Sequence, residues 1–196
     1  MSFQYNTFDT AYSEIININL FRFHIAKTKE DVYIINELFR KSSSFSNFKN
    51  AIFELFPNYD IQSLQNEYSY AVNACLLGST YWRLKGKSKL FPYWRIDTIR
   101  DREYPVEFDL IDGIILSSDL DAWNSIFPPN FSGDISYVTP CMAHEVDHID
   151  HHLMNERLKQ FQSTTFWKEC TLKGFGINRA IIELANKENE QYLLSL

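Results

Sequence analysis

The stretch PYWRIDTIRDREYPVEFDLIDGIILSSDLDAWNSIFPPN, residues 92–130, decides the fold class. Tyr93, Trp94 and Ile96 form a short β-prone run, a polar turn-rich segment follows, and Gly113-Ile114-Ile115-Leu116 forms a second run. Beyond Pro128-Pro129-Asn130 comes a third, Ile135-Ser136-Tyr137-Val138. Short β-rich runs separated by Pro, Gly and Asp predict a compact sheet lobe with long loops. Asp112-Gly113 after an apolar pair fits a turn with Gly at positive φ. Trp123, four residues before Phe127, fits a buried anchor whose indole N–H is satisfied, and Pro128-Pro129 stiffens the loop that follows.

Helices are expected on both sides of this lobe. Between Lys29 and Lys41, Val32, Ile35, Leu38 and Phe39 share one helical face, and Ser42-Ser43-Ser44 ends the run. Ser44 or Ser46 can cap a second helix carrying Phe48, Ile52, Phe53 and Phe56, which Pro57 and Asn58 terminate. A third and longest helix begins near Asp60. Its residues Ile61, Leu64, Tyr68, Ala71, Cys75, Gly78 and Trp82 follow alternating steps of three and four, a seam suited to lengthwise packing. Small residues at Ala71, Ala74, Gly78 and Ser79 allow a partner backbone to come close, within the chain or from a second protein. Arg83, Lys85, Lys87 and Lys89, mixed with Gly86 and Ser88, read as a helix end whose cations complement the carbonyl dipole, with a phosphate site as the alternative.

After the lobe, Met142, Val146, Ile149 and Leu153 predict one apolar helical stripe. Ile177, Ile181, Leu184 and Glu188 mark a last helix after Gly174-Phe175-Gly176. The expected fold is therefore α+β: an N-terminal helical bundle with a long helix over residues 1–88, a small β-rich lobe over 89–140, and a C-terminal helical segment over 141–196.

Composition narrows the function classes. With 196 residues, 45% apolar and 16% aromatic, the chain can bury one sizeable core. No apolar run approaches the roughly 18 residues of a membrane span, and MSFQYNTFDT lacks the basic start and apolar centre of a signal peptide. A cytoplasmic protein with no membrane partner is expected. Cys75, Cys141 and Cys170 are odd in number and widely spaced, which excludes a disulfide framework or a CxxC metal knuckle. A formal charge of −6 argues against strong nucleic-acid binding, which depends on clustered Lys and Arg releasing phosphate counterions.

The order and spacing of several segments resemble the phage head morphogenesis family, minor head proteins of tailed phages related to the Mu F protein. The resemblance runs from Asn19-Leu20-Phe21-Arg22-Phe23 and Ala26-Lys27-Thr28, through Ser44-Phe45-Ser46-Asn47-Phe48-Lys49 and Leu64, Glu67, Tyr68 and Ala71, to residues 92–130. It covers residues 10–140, so residues 141–196 lie beyond it. It implies a non-enzymatic structural role in head assembly, with portal or capsid proteins as partners, no cofactor and a place in the virion. The residues expected to carry that role are Tyr68, Trp82, Trp94, Asp112, Gly113, Trp123, Pro128 and Pro129. Asp101 and Asp112-Gly113 keep the family separation. The family's His position falls on Phe108, its second Arg on Pro105, and its two Cys on Asp134 and Ser136. Phe cannot ligate, so a soft-metal site in the family's usual form is not expected unless Cys141 and the nearby histidines supply a displaced version.

Four of the five histidines lie in His144-Glu145-Val146-Asp147-His148-Ile149-Asp150-His151-His152, which begins with HExxH. On a helix, His144 and His148 would project together onto zinc, with Glu145 as general base for the attacking water. HEVDHID also resembles the metal-binding helix of peptide deformylases, but the separate Cys ligand strand and the Gly-rich substrate loop are missing, and Cys141 falls on the same expected helix. On the helical wheel, His144, His148 and His151 lie opposite the Met142 stripe, facing solvent or a cleft. A zinc hydrolase using His144, Glu145 and His148 is the alternative function. A domesticated or toxin-associated adaptor with this fold is a third.

Overall fold

The computed structural model describes residues 8–99 and 104–196; Asp101 lies outside the described residues. Four helices open the chain. The first, α1 (Phe8–Ile18), ends where Arg40 donates to the carbonyls of Ile16, Asn17 and Asn19 at 3.2, 3.3 and 3.1 Å, placing a cation on the negative helix end. In α2 (Lys29–Lys41) the Thr28 side chain accepts from Asp31 N–H and the Asp31 carboxylate accepts back from Thr28 N–H, a reciprocal cap that fixes the helix start. Ser44 accepts from Asn47 N–H to begin α3 (Phe45–Leu55), and Asp60 accepts from Ser63 N–H at 2.7 Å to begin α4 (Ile61–Lys85). Local sequence decides all three starts, because each cap lies within three residues of the N–H it satisfies.

The residues between α1 and α2 form an irregular strap through the core, with Leu20, Phe21 and Phe23 buried. A buried backbone without helix or sheet partners needs side chains to satisfy it. Asn36 supplies both bonds for Phe21, accepting from its N–H at 2.8 Å and donating to its carbonyl at 3.0 Å. Asn189 accepts from Leu20 N–H and donates to Ile18 O.

Three strands form one antiparallel sheet of order β2-β1-β3, namely β1 (Tyr93–Asp97), β2 (Ile115–Ser117) and β3 (Tyr137–Cys141). Trp94, fully buried in the central strand, stands opposite Leu116 on one side and Pro140 on the other. Pro140 is tolerated because β3 is an edge strand. The one-turn helix α5 (Trp123–Ile126) follows β2, and α6 (His151–Ser163), α7 (Thr165–Leu172) and α8 (Ile182–Leu194) complete the chain. One continuous core runs from Ile15 through Tyr192 and joins helices to sheet. The small residues Ala71, Ala74, Gly78 and Ser79 are all buried, and α1 packs along α4. Among the described residues no helix is long and apolar enough to cross a membrane.

The α+β class is as expected, with three differences in its elements. The third strand starts at Tyr137 rather than Ile135, because the Asp134 carboxylate accepts from Ser136 N–H and holds that segment in a turn. The last helix starts at Ile182 rather than Ile177: Asn178 N–H and Nδ2 donate to the carbonyls of Asn124 and Trp123, which pulls the backbone off the helical path. The largest difference concerns the histidine segment.

Candidate functional site

The HEVDH residues do not share a helix. Pairing with β1 keeps the chain extended through Cys141, a single 3-10 turn occupies Ala143–Glu145, and α6 begins only at His151. The boundary is set by Asp150, whose carboxylate accepts from His152 and Leu153 N–H at 2.9 and 3.1 Å. His144 and His148 are therefore not at i and i+4 of one face, and Cys141 lies at a strand end instead of beside them on a helix. The Glu145 carboxylate accepts from Met142 N–H at 2.6 Å, closing its own turn. The expected stripe also divides: Val146 packs with Ile115 and Cys141, while Met142 and Leu153 are exposed. His144, His148, His151 and His152 are all exposed, and the His151 ring stacks on Tyr93 at 5.1 Å. Among the described residues no group of three or more His, Cys, Asp or Glu side chains is placed to hold a metal ion.

The residues of the 92–130 stretch come together as a junction between α4 and the sheet. Trp94 contacts Trp123 at 5.3 Å, Tyr81 of α4 at 5.8 Å and Phe127 at 6.1 Å. Lys85 Nζ lies 5.9 Å above the Trp94 ring and donates to Ser118 O and Asp119. The basic run thus includes a helix-end cation tied to the sheet lobe. The Trp123 indole donates to Ser117 O at 2.8 Å, and that of Trp82 to Ala180 O at 3.0 Å. Asp112 accepts from Thr98 N–H, Gly113 has φ 70°, and Gly113 N–H donates to Ile96 O, which fastens the turn to β1. Pro128 and Pro129 are buried. Tyr68 is half-buried among Phe39, Phe45 and Phe48, far along the chain from this junction.

Phe108, Asp134 and Ser136 meet around Phe131. Phe108 is fully buried, with Phe131, Phe161 and Phe166 rings 5.0, 5.2 and 5.7 Å away. Phe131 O accepts from Asp134 N–H. The Asp134 carboxylate in turn accepts from the N–H groups of Asn130 and Ser136 at 2.6 and 2.8 Å. Burial pushes the Asp134 carboxyl above the usual carboxylate range, against the pull of the Ser136 and Asn130 donors. Burial also pushes the Cys170 thiol up to about 11. Phe108 is thus part of a ring cluster, and Asp134 and Ser136 of a buried Asp-Asn loop.

A second polar assembly lies where α4, α8 and the strap meet. Glu188 Oε1 accepts from Arg22 Nε at 2.8 Å, and it lies 2.7 Å from Arg22 Nη2 and 3.7 Å from Arg179 Nη2. Arg179, 4% exposed, donates from Nη2 to Gly174 O at 3.0 Å; its Nε and Nη1 are buried and have no partner among the described residues. The Tyr70 hydroxyl is buried beside this guanidinium and interacts with it. Burial raises the Tyr70 pKa while the guanidinium opposes that rise. Gly174, at φ 83°, passes so close that any Cβ would collide with Arg22 Nε and Glu188 Oε1. Reading the chain for periodicity passes over Tyr70 and Arg179. The usable signal was a lone Arg inside the apolar run Gly176-Ile177-Asn178-Arg179-Ala180-Ile181-Ile182, since a charge there must find partners on folding.

No protein-family model, no curated protein and no solved structure matches this chain.

Proposed function

We propose that the chain is a non-enzymatic structural protein of phage or prophage origin, a minor head component that docks on portal or capsid partners during head assembly. The observation that carries this reading is the use to which the 92–130 residues are put. Trp94, Trp123 and Phe127 clamp the sheet onto Tyr81 of α4, and Asp112 and Gly113 hold a turn against β1. Their polar groups serve the fold: the Trp123 indole bonds Ser117 O and the Asp112 carboxylate bonds Thr98 N–H. Residues used in this way, for packing and turns, suit a body that docks on partners. The placement of HEVDH in a 3-10 turn and the loop that precedes α6 weighs against the zinc-hydrolase alternative. On this reading the protein is made in the cytoplasm of the producing cell and carried into the virion, and its partners are proteins rather than DNA, in keeping with a charge of −6.

Co-expression with the portal protein encoded at the same locus, followed by size-exclusion chromatography, tests it. Co-elution with the portal ring is the expected outcome. Failure to co-elute with portal or capsid protein, together with a locus lacking portal and terminase genes, would overturn the reading and leave the adaptor alternative.

A further inference from the structure

We propose that the pocket around Arg179 binds a small oxyanion, a carboxylate or phosphate group. This stands apart from the head-assembly reading and would survive its failure. The pocket is a cavity of about 40 Å³ with Arg22, Tyr70, Ser132, Lys173, Phe175 and Arg179 in its wall. That is room for the few heavy atoms of such a group, since a water needs only about 10–15 Å³ on the same measure.

Arg179 and Tyr70 stand in that wall with buried donors. A guanidinium carries five N–H donors in a rigid fork, and the fork matches a carboxylate or phosphate edge with two parallel bonds. In Arg179 the Nη2 edge is engaged by Gly174 O, with Glu188 further off, while Nε and Nη1 remain buried without a partner among the described residues. The Tyr70 hydroxyl is buried against this guanidinium and interacts with it. Buried polar atoms in folded proteins are almost always bonded, and charged donors are the costliest to leave otherwise.

Charge selects the ligand. Three cations, Arg22, Lys173 and Arg179, face one carboxylate in the wall, Glu67, with Glu188 behind it. Glu67 Oε1 accepts from Tyr59 and lies 2.8 Å from His24 Nδ1, while its Oε2 is buried without a partner among the described residues. With Glu188 counted, three cations stand against two carboxylates. The balance is therefore positive, which favours an anion over a neutral or cationic guest. Gly174 permits this construction, because a side chain there would displace both Arg22 and Glu188. An outer cleft of about 460 Å³ shares Arg22, His24 and Lys173 and adds Phe23, Leu172 and Tyr192, so the anion can be the head of a larger molecule.

The test uses the full chain in a buffer free of phosphate and carboxylates, titrated with inorganic phosphate, with acetate, and with sodium chloride at matched ionic strength. Melting temperature and isothermal titration are the readouts. A saturable rise in melting temperature with phosphate or acetate beyond the chloride control is expected, as mass action on the folded state requires. Which anion produces it distinguishes a phosphate from a carboxylate ligand. Lys173→Met, at an exposed position that leaves the core intact, should raise the apparent Kd about fivefold, and Tyr70→Phe should weaken binding in the same direction. Two outcomes overturn the proposal: neither anion acting beyond the chloride control, or saturable binding unchanged in both variants, which would locate it elsewhere.

Discussion

Adding a single methyl group at Gly78 tests how closely α1 and α4 are packed. An ideal Cβ there falls 2.8 Å from Ile15 Cδ1 and 3.3 Å from Ala180 Cβ, and Ile15 is fully buried. Replacing a mid-helix Gly with Ala gains about 1 kcal/mol of helix propensity. Overpacking a tight core costs about 1–3 kcal/mol. Gly78→Ala should therefore be net destabilising, by roughly 1 kcal/mol, against the sign that propensity alone predicts. Ile15→Val removes the methyl group in the way and by itself costs about 1 kcal/mol. In the double variant the new methyl occupies the space vacated by Cδ1, so the pair should lie at least about 1 kcal/mol above the additive sum. Urea denaturation of all four proteins, with equal m-values confirming a common unfolded state, measures this. Additivity within about 0.5 kcal/mol would refute the reasoning, because contacting residues should couple more strongly than that.

Three further outcomes follow from the structure. Asn178→Ala should destabilise the chain by roughly 2–4 kcal/mol, since it strips a partner from Trp123 O and from Ala180 N–H in a buried junction; a urea-melt loss under about 0.5 kcal/mol would show that this junction is not holding α5 to the C-terminal segment. Metal analysis of protein purified without chelators should find no stoichiometric zinc, and one zinc per chain that disappears in His148→Ala would restore the hydrolase alternative. The Asp31 carboxyl is held below its usual value, first by the Lys27 N–H and further by Thr28. A lowered carboxylate contributes stability above its unfolded pKa, near 4, and that contribution is lost as pH falls through the lowered native value. Thermal melts should show wild type more stable than Asp31→Ala at neutral pH and the gap closing in acid; a gap independent of pH would contradict this account.

Much of the helical framework was legible because its signals are local. Lys29–Lys41, the Ser44 cap and the Asp60 start each depend on residues within one turn of each other, and the structure places all three as read. The histidine segment was not legible for the opposite reason. Its spacing of Met142, Val146, Ile149 and Leu153 suits a helix, yet β1 captures the chain through Cys141 and Asp150 restarts it at His151. Periodicity cannot register a strand partner more than forty residues away.

The α+β class, the helix caps and the aromatic content of the sheet lobe follow from the sequence by itself, since propensity, capping and alternation act between near neighbours. The polar sites were decided only by tertiary structure. Arg22 and Glu188 are 166 residues apart and meet at 2.8 Å, and Arg179 lies buried with unbonded donors only because α4, α8 and the strap close around it. A charge becomes a site when folding removes its water and dictates its partners, and neither the lost water nor the distant partner is written in the residues beside it.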